Sequence, residues 1–137
     1  MLGPVDHVGY LTDDLDAALD RLKGLFGMAL ARPVDLPQYS LTGVFLGAGS
    51  GVVEVFTFTD PALLAERLPR PGLAFDHAAH EVADIEAVAQ ALSGSGVRFS
   101  GPDRRGEITE PVVLGGVRHL WTIPETCAGQ SLQLMQR

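Results

Sequence analysis

Apolar and polar positions change period along this chain, and the changes mark out its elements. Val5 to Leu11 is rich in β-forming residues and runs into Thr12-Asp13-Asp14, whose short side-chain oxygens can accept bonds from the unpaired amides of a first helical turn. Leu15, Ala18, Leu19, Leu22, Leu25 and Phe26 then recur at helical spacing, and Gly27 stands where a left-handed C-cap belongs. Beyond it, Ala29 to Val34, Ser40 to Leu46 and Val52 to Phe58 are short apolar or alternating stretches separated by Pro33, Pro37 and the Gly47-to-Gly51 turn. They predict three strands in a meander. Asp60 to Pro71 carries three prolines around Ala62-Leu63-Leu64-Ala65, which predicts a connector holding a short helix.

The pattern then restarts. Leu73 to Val82 reads as a strand, and Asp84 to Gly96 as an amphipathic helix presenting Ile85, Val88, Ala89 and Leu92, with Gly94 and Gly96 as stop signals. Val97 to Ser100, Val117 to Ile123 and Ser131 to Met135 predict three further strands. Val5-Asp6-His7-Val8-Gly9 and Phe75-Asp76-His77-Ala78-Ala79 open the two copies in the same way. The expected architecture is α+β: a βαβββ module over 1–59, a linker with a short helix over 60–72, and a second βαβββ module over 73–137. Together they would form one structural unit, a curved eight-stranded mixed sheet around a central cleft.

Composition narrows the function. Hydrophobic residues make up 46% and charged residues 20%, the balance of a folded soluble domain. The formal net charge of −7 disfavours nucleic acid and anionic membranes as partners, and Lys and Arg cluster only at Arg104-Arg105, a loop pair more simply read as solvated than as an anion site. Cys127 is the only cysteine, so neither an internal disulfide nor a cysteine-rich zinc site can form, which points to the reducing cytoplasm. No apolar run has bilayer length, and the start lacks a basic region followed by an apolar stretch. Gly47-Ala48-Gly49-Ser50-Gly51 has no following Lys and lies between strands, so it reads as a hairpin turn and not a phosphate cradle.

The candidate chemistry follows from strand alternation. His7 shares a face with Gly9 and Leu11, and His77 with Ala79 and Glu81. The last strand of each module carries one polar residue among apolar neighbours: Glu54 in Val52-Val53-Glu54-Val55-Phe56, and Gln133 in Ser131-Leu132-Gln133-Leu134-Met135. A carboxylate in such surroundings is costly unless a charge pairs with it. Two imidazoles, a carboxylate and an amide oxygen, completed by water, suit a divalent ion such as Mn, Co, Ni or Zn.

These motifs resemble the vicinal oxygen chelate superfamily, which includes glyoxalase I, methylmalonyl-CoA epimerase, extradiol dioxygenases and bleomycin-binding proteins. Asp6-His7-Val8-Gly9 is similar to its first-strand motif, and Asp76-His77-Ala78-Ala79 with Val82-Ala83-Asp84-Ile85 to its second-module opening. Gly115-Gly116-Val117-Arg118, with Trp121 and Pro124, resembles the epimerase group, and Gln38-Tyr39-Ser40-Leu41 the bacterial glyoxalases. The resemblance implies that the first and last strands of each module supply the metal ligands, which places them on His7, Glu54, His77 and Gln133. It also implies a homodimer and a small oxygen-rich carbonyl substrate, turned over by an isomerase, epimerase or lyase through a metal-stabilised enolate. Gln133 departs from the glyoxalase pattern, which has glutamate there, and the epimerase pattern carries the same four ligand types with Glu and Gln exchanged. Thr42 falls where the epimerase glutamate base would stand, and threonine is a poor base. Glu54 is therefore the first base candidate and Glu81 the second, with His119, Tyr39 and Thr42 as substrate contacts. The alternative of another class is a metal-free binding protein that sequesters a small molecule.

Overall fold

The computed structural model describes residues 1–137. Its elements are three α-helices, two short 3₁₀ turns and nine strands, an α+β fold with both parallel and antiparallel pairings. The chain divides into two compact units, His7–Asp76 on one side and Met1–Asp6 with His77–Arg137 on the other. No helix is long and apolar enough to cross a membrane.

The first unit contains most of β1 (Val5–Thr12), then α1 (Leu15–Phe26), β2 (Ala29–Leu36), β3 (Leu41–Ala48), β4 (Gly51–Phe58) and α2 (Pro61–Arg67), the helix expected in the connector. Its strands lie in the order β2-β3-β4-β1, with β1 parallel to β4. Asp14 caps α1 by accepting a 3.0 Å bond from the Ala17 amide, and Gly27 ends it in the left-handed region at φ 66°. Asp60 caps α2 in the same manner. Alternation gives the sheet two distinct faces. Leu46 and Val55 pack with Ala18 and Leu22 of α1 on one, while Leu11, Leu41, Phe56 and Phe58 pack with Leu63 of α2 on the other. Glu54 and His7 alternate onto this second face.

The second unit contains the later part of β5 (Leu73–Glu81), from His77 on, then α3 (Ile85–Ser93), β6 (Phe99–Ser100), β7 (Val112–Leu114), β8 (Val117–Thr122) and β9 (Ser131–Gln136). The order is β5-β9-β8-β6, with β7 paired to β8 alone. β7 raises the strand count to nine; its three residues between Pro111 and Gly115 are too few to show a period. Leu120, Leu134 and Phe99 pack with Val82, Ile85 and Val88 beneath α3. The outer end of β5 is tied to the N-terminal segment, since Gly3 donates to the Glu81 carbonyl and Glu81 to that of Pro4.

Candidate metal centre

In the first unit the parallel pairing of β1 and β4 sets Gly9 opposite Glu54. His7, two residues earlier, then lies diagonally across from Glu54 on the same face. Its Nε2 is 3.3 Å from Glu54 Oε2, and both residues are buried. Phe45, opposite Glu54 on β3, presses edge-on against the His7 ring at 5.0 Å and carries the Arg32 guanidinium over its outer face at 4.0 Å. A neutral imidazole facing a carboxylate donates its proton to that bond; with the proton gone, both atoms are ligand atoms for a borderline divalent ion.

The second unit repeats the register: β5 runs parallel to β9 with Ala79 opposite Gln133, so His77 and Gln133 stand as His7 and Glu54 do. Both are buried. β8 adds two more residues to this face, because Trp121 pairs with Gln133 and His119 with Met135. Gln133 Nε2 lies 3.0 Å from His119 Nδ1, and the His119 ring stacks on Trp121 at 5.5 Å and 20°. Gln133 Oε1 is buried with no hydrogen-bond partner. An orphaned buried carbonyl costs about 1–3 kcal/mol, a cost that a bound cation would remove. On this observation, and on the nitrogen and oxygen donors that each unit buries on one strand face, the residues of each unit suit a divalent ion as ligands.

Other residues singled out in the sequence lie elsewhere. Tyr39 is half-buried and packs against the Leu11–Phe58 cluster. Thr42 alternates to the face of Val44 and Leu46 on which α1 packs, opposite to Glu54. Glu81 shares the strand face of His77 but sits at the exposed end of β5, paired with Arg137. Asp6 and Glu81 together hold the Arg137 guanidinium charged, with its pKa raised above the ordinary value chiefly by the Asp6 hydrogen bond. Of the three substrate-contact candidates only His119 lies beside a ligand candidate.

Arg104 corrects the solvated-loop expectation. Its Nε donates to Ser131 Oγ at 3.2 Å, Nη1 to the Pro102 carbonyl at 2.8 Å, and its Cζ lies 5.3 Å from the Trp121 ring centre. Nη2 reaches 3.5 Å from His77 Nδ1. The backbone at Arg104 has φ 57°, a left-handed conformation rare outside glycine, which aims this side chain back at the sheet. Hydrophobic periodicity carries no signal for such a conformation.

The family model for the Glyoxalase/Bleomycin resistance protein/Dioxygenase superfamily matches residues 6–111. The chain belongs to that superfamily. Within it, the chain is 29% identical over 115 residues to the mitochondrial methylmalonyl-CoA epimerase of Dictyostelium discoideum, covering 82% of this chain and 69% of that one. It is 28% identical over 119 residues to the ethylmalonyl-CoA/methylmalonyl-CoA epimerase of Cereibacter sphaeroides, with coverage of 82% and 87%. Among solved structures, the fold is similar to a variant of the Streptomyces coelicolor methylmalonyl-CoA epimerase in complex with 2-nitronate-propionyl-CoA. That match has a TM-score of 0.77 at 22% identity and covers 99% of this chain and 95% of that one. The glyoxalase-superfamily match thus agrees with the architecture found in each unit.

Proposed function

We propose that this protein is a divalent-metal-dependent epimerase that moves a proton on the carbon next to a thioester carbonyl. The reading is carried by the repeated register that places His7 with Glu54 and His77 with Gln133, all buried and all able to donate to a metal. On this reading His7, Glu54 and His77 would hold one ion, and the unpartnered Oε1 of Gln133 would be the fourth protein ligand. Nitrogen and oxygen donors of this kind favour Mn, Co, Ni or Zn. The similarity to epimerases of methylmalonyl-CoA and ethylmalonyl-CoA supports a 2-substituted acyl thioester as the substrate class.

When bound, the ion supplies Lewis-acid polarisation of the substrate carbonyl. Glu54 is the base that takes the proton from the adjacent carbon, and its return to the opposite face completes the epimerisation; His7, whose Nε2 lies 3.3 Å from Glu54 Oε2, is its neighbouring ligand. Glu54 is buried on the strand face it shares with Phe45 and Phe56. Arg104, over Trp121, sets a positive charge beside His77 that favours an anionic substrate group. Glu81 and Thr42 take no part. Homodimerisation belongs to the same proposal, supported by the exposed Leu25, Phe26 and Leu30 around edge strand β2.

The test is exchange of the α-proton of a 2-methylmalonyl thioester in deuterated buffer, followed by NMR with metal-loaded and chelator-treated protein. Metal-dependent exchange that is lost in Glu54→Gln supports the reading. Tight thioester binding without exchange, unaffected by chelator, would replace it with a sequestering protein.

A further inference from the structure

We propose that His119 is the residue that turns Gln133 into a metal ligand, by fixing which end of its amide faces the ion. The inference rests on the proposed ligation by Gln133. An amide offers a carbonyl oxygen at one end and an NH₂ at the other, and only the oxygen can ligate. A half-turn of the terminal torsion exchanges the two ends, so the orientation is set by whatever holds the end away from the ion. Here Gln133 Nε2 lies 3.0 Å from His119 Nδ1 and Oε1 is buried without a partner. A ring nitrogen that accepts this bond must carry no proton, which places the imidazole proton on Nε2 and makes Nδ1 a receptor for N–H only.

The arrangement is built into the sheet. β8 runs antiparallel to β9 with Trp121 opposite Gln133, so His119 is the diagonal neighbour of Gln133 on one face. His119 is itself buried and stacked on Trp121, which leaves its ring little freedom to turn away. The acceptor nitrogen and the amide form a matched pair. A glutamate at 133 would present only acceptors to His119 and would need a proton on Nδ1, so the glutamine at this position and the histidine two rungs away on β8 belong together. Structural metal ligands are commonly oriented this way by the groups behind them, and loss of such a partner weakens the site about 10–100-fold.

The experiment is a competition titration of Mn²⁺ and Zn²⁺ on the full chain, for the unmodified protein, His119→Phe, His119→Asn, Gln133→Ala and the double variant His119→Phe with Gln133→Ala. His119→Phe keeps the stacking on Trp121 and removes the acceptor; it is expected to weaken metal binding about tenfold. His119→Asn restores an acceptor near Nδ1 and is expected to bind close to the unmodified protein. In the Gln133→Ala background, His119→Phe should cost nothing further. Equal losses in both backgrounds, or no loss in either, would overturn the proposal. Nitrogen-15 NMR of the His119 ring gives an independent readout: a proton on Nε2 supports the proposal, and one on Nδ1 overturns it. That spectrum decides the His119–Gln133 bond even if a variant does not fold or the unmodified protein binds no metal, a result that would count against the ligand set itself.

Discussion

Glu54 and Gln133 occupy the same register position in the two units: Glu54 lies opposite Gly9 across a parallel pair, and Gln133 lies opposite Ala79 across the equivalent pair. The two halves thus offer the same geometry with different charge. One carries a carboxylate beside its imidazole, the other a neutral amide whose oxygen is unpartnered.

This asymmetry fixes the direction of one substitution. Gln133→Glu places a second carboxylate in a buried position facing His119, so the metal-free protein should lose roughly 2–4 kcal/mol of unfolding free energy. Adding Zn²⁺ or Mn²⁺ should restore most of that loss, because the ion supplies the missing counter-charge. Denaturant unfolding with and without metal measures both. Equal stability of the metal-free forms would mean that position 133 is wetter than its burial implies.

Glu54→Gln retains an oxygen ligand and removes the base. Metal binding should weaken by about tenfold, whereas thioester α-proton exchange should fall by about 10²–10⁴-fold. Comparison of the two losses separates ligation from proton transfer. If exchange falls only in proportion to metal occupancy, another group is the base.

Glu81→Gln removes one of the two carboxylates around Arg137 and nothing near His7 or Glu54. Metal affinity and proton exchange should stay unchanged, and stability should drop by no more than about 1 kcal/mol, as for exposed ion pairs generally. A large loss of exchange would reinstate Glu81 as a base.

Two glycines give opposite stability effects for reasons visible in their surroundings. A Cβ on Gly43 would stand 2.4 Å from the Val55 carbonyl oxygen and 2.7 Å from Phe56 Cβ, so Gly43→Ala should destabilise by about 1–3 kcal/mol. Gly24 lies inside α1 with nothing within 4 Å of an added Cβ. Gly24→Ala should therefore stabilise by about 0.5–1 kcal/mol through helix propensity. Thermal unfolding of the two variants checks both signs.

Much of this molecule is legible in its sequence, because the signals are local. The apolar spacing from Leu15 to Phe26, the Asp14 cap and the Gly27 stop define α1, and the polar interruptions at Glu54 and Gln133 mark two strands that carry something besides core. What patterning does not report is the surroundings that distant partners create. Glu81 looks like an inward carboxylate until Arg137 meets it from the far end of the chain. Thr42 and Tyr39 follow the Gln38 motif in sequence, yet the left-handed turn at Ser40 ends the 3₁₀ turn that sends Tyr39 against the Leu11–Phe58 cluster, and alternation turns Thr42 to the helix side. Arg104 reaches Ser131 and Trp121 only because its backbone takes a conformation that hydrophobic patterning does not encode.

In the proposed centre, residues from both halves of the sequence serve one metal ion. The most direct test is elemental analysis and titration of the full chain with Mn²⁺, Co²⁺, Ni²⁺ and Zn²⁺, alongside His7→Ala and His77→Ala. One ion per chain is expected, lost or strongly weakened by either substitution alone. No stoichiometric binding of any of these ions, or binding that survives the loss of either histidine, would contradict it.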